Sequence, residues 1–86
     1  MAVKLSVESI TNVSRIVLFH RKQARLSRIA LADIAGVGKT VVYDIEKGKN
    51  TVRLNTLLKI LDALNVTISL DSPMMALYEA DDDTQS

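Results

Sequence analysis

Residues 27–48 read SRIALADIAGVGKTVVYDIEKG, and the two glycines near the middle divide this stretch into a pair of short helical patterns. Ser27 can cap the first helix, because its side-chain oxygen accepts one of the backbone N–H groups that a helix start leaves without a partner. Ile29, Leu31, Ala32 and Ala35 supply the apolar positions of that helix until Gly36 stops it. Gly36-Val37-Gly38 reads as a tight turn, since glycine reaches positive φ without steric cost and Val37 between the two can drop into a core. The next helix runs from Lys39 to about Lys47, with Val42 and Ile45 inward and Lys39, Thr40, Tyr43 and Asp44 outward. Gly48 ends it.

Working outward from this unit, Val13, Ile16 and Val17, followed by Phe19 or His20, fall at helical spacing over Asn12 to Ala24, with Arg15, Arg21, Lys22 and Arg25 on the other faces. On the other side, Leu54, Leu57, Leu58, Ile60, Leu61 and Leu64 form a broad apolar stripe that predicts a buried helix, with Asn65 as a left-handed stop. Val66-Thr67-Ile68-Ser69-Leu70 then switches to alternation of period two, three of its five residues are β-branched, and Pro73 closes it. It reads as a single strand. A lone strand leaves its backbone groups unpaired, so it needs either the Val3 to Val7 stretch, which also alternates, or the same segment of a second copy. The chain divides accordingly into an N-terminal arm (1–11), a helical domain (12–65), a strand (66–72) and an acidic tail without enough apolar surface to fold (73–86).

The 86 residues bound one small domain, and with only Phe19, Tyr43 and Tyr78 aromatic the interior must be filled by Leu, Ile and Val. The absence of cysteine removes disulfides, thiolate zinc sites and cysteine nucleophiles together, and fits a reducing cytoplasm. Apolar runs such as Ile16 to Phe19 fall far short of the ~20 residues of a membrane span, and no secretion signal is visible at the N-terminus, so a cytoplasmic protein is expected. The net charge of +1 conceals a division. Residues 1–50 hold nine basic against four acidic side chains, a net of +5, whereas Asp71, Glu79, Asp81, Asp82 and Asp83 meet no basic residue after position 70. A basic body with an acidic tail points to a polyanionic partner for the body.

Two short helices around a glycine turn can set the second helix into a DNA major groove. The run from Arg21 to Val66 carries further marks: Arg21, Leu26-Ser27-Arg28, Leu31-Ala32, Ala35-Gly36-Val37, Val42 with Ile45-Glu46-Lys47-Gly48, Thr56-Leu57-Leu58-Lys59-Ile60 and Ala63-Leu64-Asn65-Val66. In unbroken register these resemble the Xre-type family of phage repressors, Cro proteins and antitoxins. The resemblance implies an all-α, lambda-repressor-like domain of four or five helices. The order of helices, one strand and an acidic tail is most similar to the HipB-type antitoxins, in which C-terminal strands pair across a homodimer that represses its own operon and binds a HipA-type kinase toxin.

The resemblance also assigns roles. It implies base reading by Lys39, Thr40, Val41, Tyr43 and Asp44 on double-stranded operator DNA, and side-chain chemistry agrees for the first three: Lys39 can donate to guanine, Thr40 to base edges or phosphate, and Val41 can meet a thymine methyl. Asp44 can accept from cytosine or lie at the edge. Ser27, Arg28, Lys47 and Lys49 are placed for phosphate contacts. Arg28 stands where the family usually has glutamine, which strengthens phosphate contact and gives up an amide that can bridge a base and a neighbouring side chain. Arg21 and Glu46 are expected to pair across two helices and fix the angle of the second. Val66, Thr67, Ile68, Ser69 and Leu70 form the implied dimerisation strand.

Other chemistries are excluded by spacing. Gly36-Val37-Gly38-Lys39-Thr40 resembles the end of a phosphate-binding loop, but the glycine that motif needs five residues before Gly38 is Asp33, and a helix precedes in place of a strand. His20 has no acid cluster in its sequence neighbourhood and reads as a boundary residue, while Asp81-Asp82-Asp83 reads as a solvated charge run. With no arrangement of nucleophile and base, the expectation is a protein with no cofactor, no metal and no enzymatic activity. The competing reading is a protein-interaction module that neutralises a partner without touching DNA.

Overall fold

The computed structural model describes residues 2–81 and, among them, five helices: α1 (Asn12–Gln23), α2 (Arg28–Ala35), α3 (Lys39–Glu46), α4 (Leu54–Ala63) and α5 (Met75–Ala80). Asp82 and Asp83, part of the expected charge run, lie outside the described residues. The first four helices end by the same device. One residue just past each helix takes positive φ: Arg25 (58°), Gly36 (72°), Gly48 (95°) and Asn65 (59°). The N–H of the following residue then reaches back five positions, as in Leu26 to Arg21 O (3.1 Å), Val37 to Ala32 O (3.0 Å) and Val66 to Leu61 O (2.8 Å). These bonds satisfy carbonyls that would otherwise have no partner, and they turn Leu26, Val37 and Val66 onto the core.

That core consists of Val17 from α1, Leu31 and Ala32 from α2, Val42 and Ile45 from α3, and Ile60, Leu61 and Leu64 from α4 and its end. Leu31, Ile60, Val17 and Val42 are fully buried. Each such side chain contributes on the order of 1.5–3 kcal/mol of transfer free energy, so this small set carries most of the apolar stabilisation. The inward positions expected for α3 are met. Four apolar residues expected inside are instead exposed in part: Ile29, Leu54, Leu58 and Phe19. The geometry accounts for three of them: Ile29 lies two residues from Leu31, about 200° around the helix, and Leu54 and Leu58 flank the stripe that Leu57, Ile60, Leu61 and Leu64 turn inward.

Two features at the C-terminal end differ from expectation. Residues 66–70 form no strand in this chain, and no ladder joins them to residues 3–7, so the pairing within one chain is not adopted. The reason is visible in their surroundings: Val66 packs on the core, but Thr67 to Leu70 and the whole of 2–8 are exposed, and neither stretch lies against a sheet edge. Within the segment read as an unfolded tail, Met75–Ala80 are helical. Ser72 and Pro73 punctuate its start, Met74 N–H donates to Ser72 Oγ at 3.2 Å, and Met, Ala, Leu and Glu are strong helix formers. None of its residues is buried. The radius of gyration, 14.9 Å, exceeds the roughly 12 Å of a compact chain of this size because both ends project from the four-helix body.

Candidate nucleic-acid interface

α2 and α3 pack on one another around the turn at Gly36. Ser27 accepts from Ala30 N–H at 3.0 Å, so its hydroxyl caps α2 as the sequence predicts. Gly36 supplies the left-handed residue; Gly38, at φ −64°, does not, and serves as the extended residue before α3. No side chain caps the start of α3; of its first-turn N–H groups, that of Val41 donates to the Gly38 carbonyl at 3.3 Å.

Val42 and Ile45 anchor α3 in the core, and this fixes which side it presents. Lys39, Thr40, Tyr43 and Lys47 are exposed. Val41 is half-buried and packs against the core, so of the five residues read as base contacts it is the one that also helps hold the helix. Asp44 is half-buried, and Lys49 Nζ lies 3.8 Å from its Oδ2. An exposed pair of this length contributes little stability. Its effect is electrostatic, since it offsets the one acid on the outward face.

Arg21 and Glu46 pair as expected. Arg21 Nε donates to Glu46 Oε2 at 2.6 Å and Nη2 to Oε1 at 3.0 Å, while Nη1 donates to the Leu26 carbonyl at 2.9 Å. The guanidinium thus ties the end of α1 to the end of α3. A third member joins them: Arg28 Nε donates to Glu46 Oε1 at 3.1 Å, so the residue read as a phosphate contact is also bound to the buried acid. Burial alone would raise the Glu46 pKa, but the hydrogen bonds from Arg21 and Arg28, together with their charges, hold it below the usual carboxylate value. The hydrogen bond to Glu46 outweighs desolvation for Arg21 and raises its pKa. Around Tyr43, the Arg28 guanidinium carbon stands 5.3 Å and Lys47 Nζ 5.4 Å from the ring centroid.

Arg53 was not anticipated. It occupies the N-cap of α4, is exposed, and shares a shallow recess with Lys49, Thr51 and Thr56 beside α3. Its position immediately before the Leu54 stripe, at a helix start, was the available signal. His20 donates from Nδ1 to the Ile16 carbonyl at 2.7 Å and packs edge-on to Phe19, a structural role at the boundary.

The amino-acid sequence matches the helix-turn-helix family model over residues 20–70, which is more than half of the chain. The chain belongs to the helix-turn-helix family. It is similar to an uncharacterized HTH-type transcriptional regulator, y4mF, of Sinorhizobium fredii, at 30% identity over 67 residues that cover 78% of this chain and 88% of that one. Membership of this family, together with the likeness to a transcriptional regulator, points to a DNA-binding regulator rather than to an enzyme. No helix among the described residues is long and apolar enough to cross a membrane.

Proposed function

We propose that this helix-turn-helix protein is a sequence-specific repressor that binds its own operator as a two-fold dimer in the cytoplasm. The observation that carries the reading is the single outward side of α3. Lys39, Thr40 and Tyr43 are held there by the buried Val42 and Ile45, with Lys47, Lys49 and Arg53 at the margin. Lys39, Thr40 and Tyr43, with Val41 and Asp44 beside them, read base edges. Ser27, Arg28, Lys47, Lys49 and Arg53 meet phosphates, some of them through backbone N–H groups at the starts of α2 and α4.

In the dimer, residues 66–70 pair with the same residues of a second copy, which sets two α3 helices in successive major grooves about one helical turn apart. What supports this pairing is that the segment leaves the core at Val66 and then exposes Ile68 and Leu70. The resemblance of the sequence to the HipB-type antitoxins extends the reading to an antitoxin whose partner is a HipA-type kinase toxin. A kinase gene beside this one, and co-purification of its product with the full chain, test that extension.

The test of the operator reading is a mobility-shift titration on the protein's own promoter fragment at two salt concentrations, beside an unrelated fragment of equal length. Promoter-selective binding that weakens with salt is expected. Equal binding to both fragments, or none, favours the protein-interaction module.

A further inference from the structure

Arg28 is held at two points, although 43% of its side chain is exposed. Its Nε donates to Glu46 Oε1, and its guanidinium lies over the Tyr43 ring. Glu46 offers a fixed acceptor: its side chain is 2% exposed, and both carboxylate oxygens are engaged by Arg21, which is itself tied to the Leu26 carbonyl. Oε1 therefore accepts from two arginines at once. An exposed arginine would ordinarily sample many rotamers; this one is restrained by a buried acid at one end and an aromatic face at the other. Tyr43, the only aromatic residue of α3, is 46% exposed and sits amid the base-reading positions. The direction of its ring depends on two torsions, and a cation against its face restricts both; of the two cations that flank it, Arg28 and Lys47, Arg28 is the one tied to a buried acid.

We propose that Arg28 is a positioning residue for sequence selectivity: Glu46 fixes Arg28, Arg28 fixes the ring of Tyr43, and the oriented ring discriminates between base pairs in the groove. This rests on the operator-binding reading given above. It differs from a plain phosphate contact in what it predicts. A phosphate contact adds affinity for every duplex alike, whereas a positioning residue alters the preference for one duplex over another. The planar guanidinium matters as well as the charge, because lysine can neither span Glu46 and the ring with one rigid fork nor stack on the ring as a plane.

The test uses the full chain carrying Tyr78→Phe, which leaves Tyr43 as the sole tyrosine. Two quantities are measured for Arg28 and for Arg28→Lys. The first is the Tyr43 ring-proton chemical shifts without DNA. The second is the ratio of Kd on an unrelated fragment to Kd on the promoter fragment. In the Arg28→Lys variant the ring shifts move and the ratio falls about tenfold, the order of one base contact. Unmoved ring shifts, or a ratio retained within about twofold, overturn the proposal. A double-mutant cycle checks the route: on a Tyr43→Leu background Arg28→Lys changes the ratio less than about twofold, and a loss as large as on the parent background shows that the effect bypasses the ring and overturns it. Absence of promoter preference in the parent chain is a separate result, seen before any variant is compared; it overturns the operator reading and the role of Arg28 with it.

Discussion

Glu46 is the residue on which the geometry of this domain turns, because one buried carboxylate accepts from arginines on two other elements. Removing it leaves Arg21 buried and uncompensated, so Glu46→Ala is expected to cost about 3 kcal/mol, measurable as a lower urea midpoint at pH 7. The same carboxylate has a pH signature. Its folded pKa is lowered, so its contribution is complete above the unfolded value of about 4.3 and is lost as pH falls through the folded value. Urea titrations between pH 6 and pH 3 should therefore show a steep acid loss of stability in the parent chain and a shallower one in Glu46→Gln. On the DNA side, Lys39→Ala is expected to narrow the gap between promoter and unrelated fragments. Lys49→Ala and Arg53→Ala are expected to weaken both fragments about equally and to lower the salt slope by about one each. The reverse pattern contradicts the division between base-reading and phosphate-contacting residues. At this scale the sequence was informative where a residue type has one structural use: Arg21 and Glu46, and the Ser27 cap, stand where they were read. Arg28 was half legible. Its charge and place at the start of α2 were visible, but its tie to Glu46 joins residues 18 apart and depends on the packing of α2 against α3.

At the level of elements, the helices are defined by their ends more than by their middles. Gly36 has open space where a Cβ would stand, so Gly36→Ala meets no clash and is expected to cost about 1 kcal/mol through its positive φ alone. Ser27→Ala should cost a similar amount through the lost cap, and thermal melts of the two variants check both figures. Glycine and asparagine stops were legible because those residues favour the left-handed conformation. Arg25 adopts it as well, at φ 58°, with no sequence mark at all; the Leu26 contact with the core and its bond to Arg21 O require it. The same limit applies to α5. Acidic neighbours and scarce burial argued for no structure there, yet propensity and the Ser72-Pro73 start suffice for a short helix. For Ile29, Leu54 and Leu58, hydrophobic character was read as inward direction, and three-dimensional angle decided otherwise.

For the whole molecule, the four-helix body is complete in one chain, whereas residues 67–81 bury almost nothing. Under the proposed assembly that segment is finished by a second copy. The full chain should then sediment at twice its 9.5 kDa mass, and Ile68→Pro, which deletes a ladder donor, should yield a monomer with unchanged helical circular dichroism and much weaker promoter binding. A single species at the monomer mass for the parent chain contradicts strand pairing. Whether the outward side of α3 is what meets DNA is decided by amide chemical-shift mapping of the labelled chain titrated with its promoter fragment. The largest shifts are expected on residues 36–44 and 53–56, around α3 and the start of α4. Shifts confined to residues 66–80, with α3 silent, would contradict it.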